Sequence, residues 1–239
     1  MKKVLTLCTL LFAVFACSYA QQIKKNAPVF DDYLPLLQQA GYNMFTYDIS
    51  ALKDATYNIT FIIREYAAGK HLQDKDLHIG LRANRYMLAE FNEADRAQAI
   101  ADGIAEDVAN GIFRLATKIG IGFTPSQSDT LQNILFRAYG KEPLAQSGHR
   151  VVLRDVRMDN ERADNESRNF IRYTFREFKE EPFATDTFIP LLMYGSFWWD
   201  AEHNIYRFCG DSELTRDMSS SLLKDSPHYY IIGVEFNKQ

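Results

Sequence analysis

The sequence contains very little cysteine, and this scarcity excludes a fold held together by several disulfide bonds. Among its 239 residues only Cys8, Cys17 and Cys209 are cysteines. The first two lie in an N-terminal segment that we expect to be removed, which leaves Cys209 alone in the mature chain. The stability of the fold must therefore come from the burial of apolar side chains. We expect the Cys209 thiol to be buried and inert at the end of a strand.

Linear motifs of catalysis are also missing. The chain has no H-E-x-x-H, G-x-S-x-G, P-loop or dinucleotide-binding pattern, and its five histidines are scattered. We therefore expect no cofactor and no metal site, and we predict a protein that is not an enzyme. A carboxylate-based hydrolase stays open as an alternative, because the two acids of such a site can come from strands far apart in sequence.

Positive charge is not in excess. The formal net charge is −4, and charges of both signs are interspersed, so the chain has neither a basic stripe nor an acidic tail. We therefore predict that nucleic acid is not a partner.

Apolar runs long enough to suggest a targeting segment occur only at the N-terminus. Lys2 and Lys3 precede an apolar run over residues 4–15, and Ser18-Tyr19-Ala20 offers small residues where signal peptidase requires them. The run is too short to span a bilayer permanently. We predict a secretory signal peptide over residues 1–20 and a β-rich exported domain over residues 21–239. The mature chain would be periplasmic or secreted, with no transmembrane span.

The same segment permits a different localisation. Residues 14–17 read Val-Phe-Ala-Cys, which resembles a bacterial lipobox in which Cys17 is lipidated and becomes the first residue. Phe15 occupies a position that usually holds a small residue, and cleavage after Ala20 competes with lipidation. Soluble export is therefore the preferred prediction, with a lipid anchor at Cys17 as the alternative.

Alternation of apolar and polar residues predicts a mainly β fold. In residues 57–64 the odd positions are large and apolar and the even positions are mostly polar, and residues 113–123 and 171–176 repeat this pattern. Such alternation is typical of antiparallel sheets with one solvated face. Further strands are predicted at residues 43–49, 130–139, 150–157, 187–199, 205–209 and 228–236. The fold predicted is an antiparallel β-sandwich with a few short helices, which begin near Asp31, Asn92 and Ser219.

One internal similarity bears on the number of domains. Ile62-Ile63-Arg64-Glu65-Tyr66 resembles Leu135-Phe136-Arg137-Ala138-Tyr139. Gly-Lys follows shortly after the first segment, at residues 69–70, and directly after the second, at residues 140–141. A duplicated β subdomain would produce this similarity, as would chance resemblance between two amphipathic strands. Two packed sandwich-like subdomains, with a boundary near residue 109, therefore stay open.

The strongest candidate binding surface is a predicted hairpin that contains both tryptophans of the chain, Trp198 and Trp199. Neighbouring residues of a strand point to opposite faces, so one indole can be core while the other lies on the wet face. An exposed indole could stack on a sugar ring, and nearby polar groups could bind its hydroxyls. We predict a ligand-binding site formed by Trp198, Trp199, Asp200, Glu202 and His203.

Two polar clusters are weaker candidates. Asp74, Asp76 and His78 would share one face of a strand, but no fourth metal ligand is identifiable, so a solvated face is the preferred interpretation. The acidic stretch over residues 159–166 lacks the glycine and the acid spacing of a calcium loop, and a polar hairpin loop is preferred there.

The apolar strands carry a family resemblance. Residues 59–66, 195–200, 208–210 and 228–236 resemble segments of a family of uncharacterised exported proteins of about this length from gut Bacteroides-type bacteria. The resemblance implies a bacterial source and an envelope compartment, and it supplies no site residues.

Together these observations predict a non-catalytic exported cell-envelope protein that binds a glycan or a small ligand through the aromatic hairpin. The first alternative is a structural or protein-interaction component of the periplasm or outer membrane, in which the aromatic residues are core. The second alternative is the carboxylate-based hydrolase.

Overall fold

The computed structural model describes residues 27–78, 83–125, 128, 130–154, 173–200 and 202–239. The described chain divides into two units, which meet between residues 37 and 38. Helix α1 (Phe30–Gln39) begins in the first unit and ends in the second. The helix begins at Phe30, one residue before the cap predicted at Asp31. The Asp32 carboxylate accepts a hydrogen bond from the backbone N–H of Val29 at 2.8 Å, just before the helix.

The second unit contains two antiparallel sheets, and this confirms the predicted β-sandwich class. One sheet has four strands in the order β1-β6-β7-β8, and the other has five in the order β3-β2-β13-β10-β9. Two small two-stranded sheets pair β4 with β5 and β11 with β12. The strands of the described residues are β1 (Asn43–Asp48), β2 (Tyr57–Ala67), β3 (Lys70–His78), β4 (Arg85–Met87), β5 (Ile112–Leu115), β6 (Lys118–Thr124), β7 (Leu131–Tyr139), β8 (Pro143–Val152), β9 (Tyr173–Glu177), β10 (Ile189–Ser196), β11 (Trp198–Asp200), β12 (Ile205–Arg207) and β13 (His228–Lys238). Helices α2 (Glu93–Ala101) and α3 (Ser221–Asp225) complete the regular structure, together with single 3-10 turns at Ser50–Leu52 and Leu88–Glu90.

The main core lies between the two large sheets. The alternating apolar residues of β2 point into it, with Ile59, Phe61 and Ile63 between 0% and 3% exposed. The facing sheet contributes the equivalent rows of β6 and β7, and the rings of Phe61 and Phe136 lie 4.7 Å apart. Period-two patterning therefore identifies the inward face correctly.

A second core covers the opposite face of the five-stranded sheet. Met193 of β10 and Ile231 of β13 are fully buried there beneath Leu214, Leu222 and Leu223. Two of these covering leucines belong to α3, whose N-cap Ser220 accepts a hydrogen bond from the backbone N–H of Leu222. Strand β13 is thus buried on both faces, and this explains why its sequence is a nearly continuous apolar run.

Two strands predicted as continuous are each divided. Residues 113–123 form β5 and β6, because the backbone N–H of Ala116 bonds to Asn84 while that of Thr117 bonds to Tyr139. Residues 187–199 are divided at Phe197. Ser196 is the last residue of β10 and lies beside His228, the first residue of β13, whereas the following strand β11 pairs with β12. Both tryptophans therefore lie outside the large sheets.

The two similar segments of the sequence lie on strands that face each other. They form β2 and β7, which belong to different sheets and are each followed by a tight turn to an outer strand, β3 or β8. Strands from before and after residue 109 pair within both sheets, as β1 with β6 and β2 with β13.

Gly233 provides a test of how closely β13 is packed. A Cβ added there would overlap the carbonyl oxygen of Ile189 and lie 2.6 Å from the ring of Phe188. We expect Gly233→Ala to lower the free energy of unfolding by about 2 kcal/mol or more, because the backbone carbonyl cannot move aside cheaply. Urea denaturation measures this change.

Gly148→Ala is the matched control, since it is also a strand glycine and its nearest neighbour would be 3.9 Å away. It should change stability by less than about 1 kcal/mol. Equal effects of the two substitutions would contradict the packing described for β13.

Candidate functional site

The predicted binding residues lie on a separate two-stranded hairpin, hereafter the aromatic hairpin, which consists of β11, β12 and the loop between them. Trp198 pairs with Arg207, Trp199 with Tyr206 and Asp200 with Ile205. The loop residues Glu202 and His203 are exposed. The structure therefore places all five predicted residues close together on one small element.

Asp200 organises the loop of this hairpin. Its Oδ1 accepts hydrogen bonds from the backbone N–H groups of Glu202 and His203 at 3.0 and 3.2 Å, while its Oδ2 lies 3.0 Å from His203 Nδ1 and 2.7 Å from Arg207 Nε. Desolvation raises the pKa of this carboxyl, but the hydrogen bonds from His203 and the Arg207 charge outweigh it and lower the pKa overall. Asp200 is thus an ion held by its own loop, with little capacity left for a ligand.

The two tryptophans have different surroundings. Trp198 packs against the second core and its ring lies 6.2 Å from that of Phe208. Trp199 belongs to neither core, and its ring meets that of Tyr206 edge-on at 5.0 Å across the hairpin. Both indoles are half-buried. Of the two, Trp199 is the better placed to contact a ligand.

The same hairpin holds a group of potential metal ligands. One ligand atom each from Asp200, Glu202 and His203 lie within 4.8 Å of one another. The Arg207 guanidinium already contacts Asp200, so a cation here would have to displace an ion pair or approach a positive charge. The arrangement favours a hydrogen-bonded turn over a metal site.

The other polar residues singled out in the sequence have ordinary surroundings. Asp74 pairs with Arg64 at 3.5 Å and with His71 at 2.6 Å on the exposed strand β3. His78 lies 3.5 Å from the Thr60 hydroxyl. The acidic stretch over residues 159–166 lies outside the described residues.

The prediction for Cys209 was wrong, because its thiol is exposed. Strand β12 ends at Arg207, two residues earlier than predicted, so Cys209 lies in the irregular segment beyond it. The adjacent Gly210 in that segment has a φ of 140°.

A second polar centre that no sequence motif predicted, hereafter the Glu65 network, lies at one end of the main core. Glu65 of β2 is 5% exposed, and its Oε1 lies 2.7 Å from Arg154 Nη2 and 2.9 Å from His228 Nε2. Gln73 of β3 donates to the other carboxylate oxygen. The Tyr173 hydroxyl lies 2.6 Å from His228 Nδ1 and accepts a hydrogen bond from the backbone N–H of Arg154 at 3.0 Å.

The pKa shifts of this network define its protonation. Burial raises the pKa of Glu65, but the hydrogen bonds from Arg154, His228 and Gln73 more than offset this and lower it to about 2. Burial lowers the pKa of His228 despite its bond to Glu65, and burial raises that of Tyr173 to about 12. The network therefore contains an ionised Glu65, a neutral His228 that donates from Nε2, and a Tyr173 hydroxyl that donates to Nδ1.

The residues of the Glu65 network are too far apart in sequence to form a motif. Glu65 and His228 are 163 positions apart. One signal was present: Glu65 continues the inward row of Ile59, Phe61 and Ile63, so a charged residue stands where period-two patterning requires an apolar one. A partner for that charge had to exist.

Comparison with known families adds one result. A family model described as "Domain of unknown function (DUF5041)" matches residues 12–238. The chain belongs to this family. No curated protein and no solved structure matches the chain. The function of this DUF5041 chain is therefore inferred from its own residues. Among the described residues, no helix is both long enough and apolar enough to cross a bilayer.

Glu65→Gln tests the ionised state of the network. The shift of the Glu65 pKa from 4.5 to about 2 corresponds to roughly 3 kcal/mol of stabilisation. Because the folded-state pKa is lowered, this stabilisation is present above pH 4.5 and is lost as the pH falls towards 2. We expect Glu65→Gln to cost about 2 kcal/mol at pH 7 and the difference from wild type to shrink below pH 4.5. Urea denaturation followed by tryptophan fluorescence measures both.

Glu235→Gln is the control, since no described residue pairs with the Glu235 carboxylate. It should change stability by less than about 0.5 kcal/mol. A Glu65→Gln deficit that stays constant from pH 7 to pH 3 would contradict an ionised Glu65.

Proposed function

We propose that this protein is a non-catalytic exported cell-envelope protein that binds a glycan or a small ligand through the aromatic hairpin. The observation that carries the proposal is the position of Trp199, which lies outside both cores and pairs with Tyr206. Two aromatic rings on one face of a hairpin offer an apolar surface on which a sugar ring can stack.

The polar surroundings of the pair support the same function. His203 is 51% and Arg207 32% exposed at the side chain, so both can donate to ligand hydroxyls. The bonds that Asp200 makes to the loop hold these donors in place before any ligand arrives, which reduces the entropy lost on binding. Asp200 therefore acts through positioning, whereas Trp199 makes the direct contact.

The compartment is part of the proposal. The basic start, apolar run and small residues of residues 1–20 support export, with cleavage after Ala20. The signal-free product would be periplasmic or secreted, and a lipid anchor at Cys17 is the alternative. Intact-mass measurement of the protein from an envelope fraction distinguishes the two, because an acylated Cys17 excludes cleavage after Ala20.

Carboxylate-based hydrolysis receives less support from the described residues. A general acid needs a raised pKa. All described carboxyl groups with a displaced pKa have it lowered, namely Asp48, Glu65, Asp107, Asp200 and Asp217. Hydrogen bonds hold each of them as an ion, which suits binding and loop structure better than proton donation.

Single-tryptophan variants provide the test. Trp198→Phe leaves only Trp199, and Trp199→Phe leaves only Trp198. We expect iodide to quench the emission of Trp199 more strongly than that of Trp198, because Trp198 packs against the second core. Oligosaccharides that raise the melting temperature of the wild type should also change Trp199 emission.

Trp199→Ala should abolish that ligand effect while the protein stays folded. Trp198→Ala is the matched comparison and should lower the unfolding free energy by about 2 kcal/mol or more through lost core contacts. Unchanged ligand affinity in Trp199→Ala would contradict the proposal. A screen in which no saccharide stabilises the wild type would favour the structural or protein-interaction alternative.

A further inference from the structure

A cleft opens between the edges of the two large sheets, beside the Glu65 network. It has a volume of about 450 Å³ and lies between β2 and β3 on one side and β8 on the other. Ile63 and Tyr230 form part of its apolar wall, and Glu65, Lys75, His149 and Arg154 contribute its charged and titratable groups. This volume is within the usual range for sites that bind small molecules.

Strand register explains why two basic side chains face each other here. Lys75 lies opposite the core residue Ile63 in the β2–β3 pair, so both share the inward face. His149 lies opposite the core residue Ile134 in the β7–β8 pair and points inward from the other sheet. Proximity to Lys75 adds to the effect of burial in lowering the pKa of His149.

Among the described residues that line the cleft, Glu65 is the one acid, and it is already engaged. Glu65 is bound by Arg154, His228 and Gln73, so it does not neutralise Lys75. Lys75 makes no salt bridge within the part of the chain that the structure describes. The described part of the cleft thus keeps unbalanced positive charge, although the chain as a whole has a formal net charge of −4.

We propose that this cleft binds a small organic anion, with Lys75 and His149 contacting its carboxylate or phosphate group and Ile63 and Tyr230 packing against its organic part. The site is independent of the aromatic hairpin and shares no residue with it. An ammonium and an imidazolium on opposite walls can each donate to one anionic group.

The proposal includes a direction for the pH dependence. Several charged or titratable groups face or adjoin His149 in the cleft: Lys75 of β3, Glu65 of β2, Tyr230 of β13, Arg150 of β8 and Arg154 beyond it. Hydrogen bonds that outweigh burial lower the pKa of Glu65 to about 2 and keep it ionised, and burial raises the pKa of Tyr230 and keeps it neutral. Burial and the Lys75 charge lower the pKa of His149, so its imidazole becomes cationic only as the pH falls below its ordinary value of about 6.5. Anion affinity should therefore rise on acidification, and bound anion should raise the pKa of His149.

Three related sugars provide the probes. Galacturonate supplies a carboxylate, galactose 1-phosphate a phosphate, and galactose the neutral comparison. Calorimetry should detect binding of at least one anionic sugar and none of galactose at the same concentration. NMR titration, with the His149 signal assigned through His149→Gln, should show its pKa rising when that anion is present. Preference between the two anions identifies the acidic group of the ligand.

Variants localise the site. Lys75→Met should weaken anion binding about tenfold or more, because it removes one charge-assisted hydrogen bond while keeping the length of the side chain. Lys75→Arg should retain binding. Lys224→Met removes the same charge from α3, on the opposite face of the five-stranded sheet, and should leave affinity unchanged. Trp199→Ala should also leave it unchanged, which separates this site from the aromatic hairpin.

Three results would overturn the proposal. One is binding of galactose as tight as that of the anions, and another is unchanged anion affinity in Lys75→Met. The third is a His149 pKa that neither anion moves at millimolar concentration. Lys75 would then serve only to keep the edge strand β3 from pairing with another chain, a common role of inward-pointing charges.

Discussion

His228 is the residue that adjoins both candidate surfaces, because its ring is hydrogen-bonded to Glu65 and its backbone N–H to Ser196. The His228 ring connects β2 to β9 through Glu65 and Tyr173, and its backbone N–H donates to the Ser196 hydroxyl at 3.1 Å. This bond joins His228, the first residue of β13, to Ser196, the last residue of β10. Strand β10 ends at Ser196, and the tryptophans that follow belong to a hairpin of their own. The hydrogen bond from the His228 ring helps to satisfy the Glu65 carboxylate, beside which the cleft opens.

Burial of a carboxylate at the end of a sandwich is acceptable only when each of its oxygens is bound. In this protein the partners come from both sheets, since Gln73 and His228 lie on the five-stranded sheet and Arg154 follows the last strand of the other. Tyrosine hydroxyls add further links between the sheets, for example from Tyr230 to the Val152 carbonyl at 2.7 Å. Polar groups therefore close this end of the core, where apolar packing alone would leave the sheets free to slide.

Much of the fold could be predicted from the sequence because its inward rows alternate with few exceptions. The rows of β2, β6 and β9 follow period two, and the class of the fold follows from them. Strand β3 was left undecided between a solvated strand and a loop, since Gln73 and Lys75 stand on its inward face where an apolar residue would have revealed it. The aromatic hairpin could be located from its tryptophans, but the Glu65 network and the cleft could not. Their residues meet only through strand register, which local sequence does not encode.

The charge of the whole chain constrains what the cleft can select. An acidic protein repels a polyanion over distances comparable to the Debye length, about 8 Å at physiological salt, whereas a single small anion experiences mainly the nearest groups. Lys75 and His149 then dominate, because Arg154 is paired with Glu65. A long acidic polymer would meet the exposed Asp74 and Asp76 on the same strand and be disfavoured. The charge distribution thus favours a small anion, whereas the stacking proposed for the aromatic hairpin carries no such restriction.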